Sequence, residues 1–108
     1  PGTRIEVTGE IDGTDRRDPD HSGLLYDPVV FDASFLDSVR VEVETSDFQP
    51  LLKLMESSTG AVLAEWDPMY SEDDALEYTI ASTGAYEARV YSFDGAPGEY
   101  TVRITISR

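Results

Sequence analysis

The chain reads as an all-β domain, an antiparallel β-sandwich of about eight short strands. Three observations predict it. Apolar and polar residues alternate over one short run after another, as they do on strands with one buried face. Turn-forming residues separate the runs at near-regular spacing. No window carries sustained helical periodicity of useful length. The 108 residues suffice for one core, so residues 1–108 are expected to form a single domain, read as one excised from a larger protein.

The elements follow in order. Ile5, Val7, Gly9 and Ile11 alternate with Arg4, Glu6, Thr8 and Glu10, which marks a first strand with one wet face. Asp12 to Gly23 is polar and punctuated by Gly13, Pro19 and Gly23, so it is expected to be a loop. Tyr26 to Phe31 is a short strand, with Pro28 suited to its start or to an edge position. In Ser38 to Thr45 three valines, Val39, Val41 and Val43, face one way, and Arg40, Glu42 and Glu44 the other. Two apolar runs split by Ser57-Ser58-Thr59-Gly60 form a hairpin, with Leu52 and Leu54 pointing inward. Pro68 to Asp74 is a second acidic loop. Leu76, Tyr78 and Ile80 face inward on the next strand, Thr83-Gly84 turns the chain, and Tyr86, Ala88 and Val90 face inward on the strand after it. Beyond the turn Asp94-Gly95-Ala96-Pro97-Gly98, the last strand presents Tyr100, Val102, Ile104 and Ile106 on one face.

Composition narrows the function. Twenty-two acidic residues against eight basic ones give a formal charge of −14. Phosphate recognition needs a cationic surface, so nucleic acid is not the expected partner, and anionic membranes are disfavoured too. Divalent cations and basic partners are compatible with this balance. A hydrophobic content of 40% is that of a folded globule. The absence of cysteine excludes disulfides and thiolate metal sites. No apolar run approaches the roughly 20 residues of a membrane-spanning helix.

A set of short motifs then recurs in a recognisable order: Gly9-Glu10-Ile11, the acidic stretch Asp12 to Asp20, Asp27 with Phe31, and Asp47-Phe48-Gln49-Pro50-Leu51-Leu52-Lys53-Leu54. Gly60, Leu63-Ala64 and Asp67 follow, and then two Gly-x-Tyr phrases, Gly84, Tyr86 and Val90, and Gly98, Tyr100 and Ile104. In these residues the chain, from Val7 to Ile106, resembles the bacterial pre-peptidase C-terminal domain, a relative of the collagen-binding domains of bacterial collagenases. Two departures stand out. Trp66-Asp67-Pro68 occupies the place of the family's usual Asn-Asp-Asp, and the loop between Ile11 and Tyr26 is longer and carries Arg16, Arg17 and His21. The resemblance implies a jelly-roll-like sandwich that serves as a non-catalytic accessory domain of a secreted or cell-surface bacterial hydrolase, often a protease, and the chain is expected to be a monomer. Such a domain attaches its parent enzyme to a protein or polysaccharide polymer. A calcium-stabilised spacer, an export or folding module, and a carbohydrate-binding module using Trp66 and Tyr70 are the alternatives.

Three groups of residues carry candidate chemistry. Glu10, Asp12, Asp15, Asp18, Asp20 and Asp27 could supply the six to eight oxygens that calcium takes. Their spacing is not that of an EF-hand, and the resemblance implies calcium near this first-strand region. Asp67, Glu72, Asp73 and Asp74 form a second acidic group. Tyr91 and Phe93 fall on the face opposite Tyr86, Ala88 and Val90, with Trp66 near enough to join them, and outward aromatic rings are suited to polymer binding. In the collagen-binding relatives, tyrosines of the corresponding strand contact collagen; Tyr91 matches one, and Phe93 stands at a second without its hydroxyl. Catalysis is not expected. His21, the one histidine, lies in a charged loop beside Ser22, and adjacency in sequence does not build a triad. No acid is placed in an apolar run where a glycosidase would need it.

Overall fold

Alternation of period two puts one residue set of each strand on one side, and two such sets close on each other. The computed structural model describes residues 3–12, 16–18, 24–69 and 75–107, and for 16–18 the backbone alone. These contain nine strands: β1 (Thr3–Ile11), β2 (Arg16–Asp18), β3 (Leu24–Ala33), β4 (Ser38–Glu44), β5 (Pro50–Glu56), β6 (Val62–Trp66), β7 (Leu76–Thr79), β8 (Gly84–Ser92) and β9 (Gly98–Ser107). Every pairing is antiparallel. One sheet runs β1-β9-β4-β7 and the other β2-β3-β8-β5-β6, so the chain crosses repeatedly between the two, as in a jelly roll.

The core lies between the sheets. Phe31, Leu52, Leu54, Tyr86, Ala88 and Val90 from one sheet meet Ile11, Val39, Val41, Val102 and Ile104 from the other, all buried. Each fully buried side chain of this kind contributes about 1.5–3 kcal/mol. The inward sets are those the alternation predicts, including Leu52 and Leu54.

Three local features differ from expectation or refine it. Arg16–Asp18, expected within a loop, pairs as a short strand with Leu24–Tyr26; it has no apolar alternation to announce it. Among the described residues β2 pairs with β3 only as far as Tyr26, and no described strand lies beside Pro28 on that side. The β3–β4 turn closes with the Asp37 amide donating to the Ser34 carbonyl at 2.9 Å and places Leu36 at φ 72°, a left-handed conformation that turn chemistry reserves for glycine or asparagine. The turn is held by the Leu36 amide to the Ile80 carbonyl, the Ile80 amide to the Asp37 carbonyl, and the Ser34 amide to the Asp37 carboxylate at 2.8 Å. Phe35 and Leu36 are both exposed.

The Gly-x-Tyr phrases turn out to be structural. The Tyr86 hydroxyl donates to the Ser82 carbonyl, tying the start of β8 to the preceding bend in the manner of a tyrosine corner. The Tyr100 hydroxyl donates to the Asp27 carboxylate at 2.8 Å, joining the two sheets. Gly9 is the register partner of Tyr100, and a Cβ at Gly9 would lie 2.6 Å from that hydroxyl oxygen, so only glycine leaves room for the ring. A Cβ at Gly98 would likewise lie 2.1 Å from Cβ of Asp47, whose carboxylate accepts the Glu99 amide at 2.9 Å. Phe48 meets Tyr100 edge-on, with centroids 6.5 Å apart.

Candidate functional site

The expected binding strand is β8, and its register places the candidate residues. Tyr91 lies between Tyr26 of β3 and Leu51 of β5, and Arg89 lies between Pro28 and Lys53. All of these point away from the inter-sheet core. Tyr91 nevertheless is 0% exposed. It forms a second apolar cluster with Tyr26 and Leu51, its ring 5.3 Å from that of Tyr26, and Lys53 Nζ sits 5.3 Å from its centroid. Its assignment to an open binding face is therefore corrected: alternation sets which face a residue takes, and its register neighbours close over it.

The same face holds two cations in a row. Arg89 and Lys53 are directly opposed across β8 and β5, a like-charge pair that is unfavourable by itself. Each has its own ring and carboxylate. Arg89 lies 4.4 Å from the Tyr26 centroid and pairs with Glu87; Lys53, 5% exposed, lies over Tyr91 with Glu65 at 3.9 Å. Burial alone would lower the Arg89 guanidinium, but the Tyr91 hydroxyl and the Glu87 carboxylate outweigh it and hold it above its ordinary value. The sequence did signal this layer: Lys53 is a lone cation in the apolar run Leu51 to Met55.

Phe93 and Trp66 are brought together. Phe93 continues the outer face past the end of β8, is 46% exposed, and its amide donates to the Gln49 carbonyl at 2.8 Å. Trp66 pairs with Leu52 at the end of β6 and packs half-buried against the edge of the main core. With Leu51, Leu52, Glu65 and Asp67 they line a cleft of about 170 Å³. Tyr91 is not part of its lining. Asp67 accepts the Met69 amide at 2.9 Å, a local turn that shapes one end of the cleft. Next to Phe93, Asp94 holds its own turn. Desolvation would raise its carboxyl, but the amides of Ala96 and Gln49 and the Ser92 hydroxyl keep it below the usual carboxylate range.

The proposed calcium ligands are described only in part. Glu10 lies on the exposed face of β1, opposite Glu99, whereas Asp27 sits on the inner side of β3, where its carboxylate accepts the Tyr100 hydroxyl. Asp12 is half-buried at the end of β1. Asp15, Asp20, Tyr70, Glu72, Asp73, Asp74, His21 and Ser22 lie outside the described residues, as does the side chain of Asp18. Among the described residues no three acidic or imidazole side chains are grouped as metal ligands.

Neither a family model nor a curated protein sequence matches the chain. Its fold does match solved structures over almost its whole length. The pre-peptidase C-terminal domain of the collagenase from Bacillus anthracis superposes with a TM-score of 0.65 and 17% identity, covering 94% of this chain and 88% of that domain. A mutant of PliG from Escherichia coli, a periplasmic inhibitor of g-type lysozyme, gives 0.64 and 19%, covering 96% and 87%. PliG from Aeromonas hydrophila, also a periplasmic inhibitor of g-type lysozyme, gives 0.65 and 10%, covering 98% and 86%. The chain thus has the β-sandwich fold of the collagenase pre-peptidase C-terminal domain, a fold that the PliG inhibitors share.

Proposed function

We propose that this chain is a non-catalytic recognition domain that works outside the cytoplasm and attaches a secreted hydrolase to a protein polymer. The observation that carries the reading is the end-to-end likeness to a domain of a collagenase, which extends over 94% of this chain. The family-like residues take coherent structural roles here, with Tyr100 on Asp27 and Gly98 against Asp47, which supports the same reading. The binding face is the end of the five-stranded sheet, where Phe93 is exposed and lines one cleft with Trp66. Tyr91, fully buried, does not touch the ligand.

Co-sedimentation with fibrillar collagen, elastin, chitin, cellulose and peptidoglycan tests it, each with calcium or with chelator so that the calcium expectation is carried along. Saturable binding to collagen or elastin is expected, lost in a Trp66→Ala/Phe93→Ala variant. Binding to chitin or cellulose in its place would transfer the domain to carbohydrate recognition. A second reading, inhibition of a lysozyme by direct protein binding, is favoured by the fold shared with PliG. Lysis of cell walls by a g-type lysozyme in the presence of the domain separates the two, since an attachment domain leaves lysis unchanged.

A further inference from the structure

We infer that the exposed Phe35–Leu36 turn and the cleft beside it form the face that docks against the adjoining domain of the parent hydrolase. This rests on the attachment reading above and names the second surface that such a domain needs.

The turn is built to present two side chains. All four of its amides have acceptors. Ser34 donates to the Asp37 carboxylate at 2.8 Å, Phe35 to the Thr83 hydroxyl oxygen at 3.0 Å, Leu36 to the Ile80 carbonyl at 2.9 Å and Asp37 to the Ser34 carbonyl at 2.9 Å. A tip held in this way loses little freedom on docking. Phe35 is 56% exposed and Leu36 58%, so both rings of contact that a core would offer them are absent and their apolar surface faces outward. Leu36 at φ 72° is strained as well, in a conformation that asparagine or glycine holds at lower cost. A strained position that carries an exposed apolar side chain points to a use for that side chain outside the fold.

Position selects the occupant. A cleft of about 410 Å³ adjoins the turn, with Thr3, Ile5, Ala33, Ser34, Thr83 and Ile106 in its lining. Thr3 and Ile106 are register partners, as are Ser38 and Ser107, so β1 enters and β9 leaves the sandwich beside this turn. A domain joined covalently through either strand is therefore held next to Phe35 and Leu36 at high effective concentration. The surface it meets is largely uncharged, on a chain whose formal charge is −14. Of the two acids in the cleft lining, Asp37 is 8% exposed and turned to the Ser34 amide, while Asp32 is exposed. The matching surface is an apolar one with a polar margin, as at contacts between domains of one chain. Strand β8 runs from Gly84 in this cleft to Ser92 beside Phe93, roughly 26 Å at the rise of a strand. Parent enzyme and polymer thus meet opposite ends of the sandwich.

Hydroxyl-radical footprinting reads side-chain exposure, on this chain by itself and on the parent enzyme that carries it. Oxidation of Phe35 and Leu36 is expected to fall about fivefold in the parent, as at a contact that excludes water, with Phe93 unchanged. Leu36→Asn should melt at the same temperature as the unmodified chain or higher, because asparagine accepts the left-handed conformation. In the parent, the same variant should return Phe35 to its exposed rate. Unchanged oxidation of the tip in the intact parent overturns the inference, and polymer co-sedimentation still decides the attachment reading separately. A clear drop in the melting temperature of Leu36→Asn gives that side chain a role in the fold and overturns the inference too. A parent reading frame without a hydrolase removes the attachment reading, and the inference falls with it.

Discussion

Both sheets turn one face away from the core, and the two outer faces are built on opposite principles. On the four-stranded sheet Arg103 pairs with Glu6 and Glu44, and Arg40 with Glu42 and Glu77, in a lattice of solvated ions among threonines. On the five-stranded sheet Tyr91, Tyr26, Leu51 and Lys53 are buried, and the two cations rest on rings. Alternation is regular in β1, β4 and β9, whereas β5 is buried on both faces. The difference lies in side-chain character: the glutamates and arginines of the four-stranded sheet stay accessible, whereas Tyr91, flanked by Tyr26 and Leu51, is buried with them. Facing away from the core and facing solvent are therefore separate properties.

Substitutions on the two faces sharpen this contrast. The largest effect is expected for Tyr91→Ala, which empties a fully buried site and should destabilise the domain by about 3–5 kcal/mol in chemical denaturation. A value typical of a surface site would mean that the outer face is wet after all. Next is Arg89→Ala, which removes a partly desolvated cation from the Tyr26 ring and its stem from the layer. About 1–2 kcal/mol is expected, little altered by salt. The smallest is Arg103→Ala on the solvated face, where any loss should disappear as salt screens the ion pairs. If Arg103 proved as costly as Arg89 at high salt, the two faces would not differ in the way described.

Much of the fold was legible because period two is a direct consequence of strand geometry, and the inward sets of β1, β4, β8 and β9 carry it plainly. Arg16–Asp18 was not, since a short polar strand held by its partner's backbone leaves no pattern. The β3–β4 turn was also hidden, because Leu36 occupies a position where sequence reading looks for glycine. The family-like motifs were legible for a different reason. Gly9, Gly98, Asp47, Asp27, Tyr86 and Tyr100 are the points where backbones approach closely or a hydroxyl locks two segments, so they announce an architecture and say little of a ligand.

For the candidate site, sequence placed Trp66 near enough to join Phe93, and the two line one cleft; it also assigned Tyr91 to the correct side of its strand. Which strands would flank them was beyond it. β8 pairs with β3 and β5, segments distant in sequence, and these pairings set Tyr26 and Leu51 on either side of Tyr91, while the pairing of β6 with β5 brings Trp66 to the cleft that Phe93 lines. Composition and alternation alone determined an acidic all-β sandwich and the two sides of each strand. Burial of one tyrosine and exposure of its neighbour were decided by tertiary structure, because cover depends on lateral register, and no local pattern encodes register between distant strands.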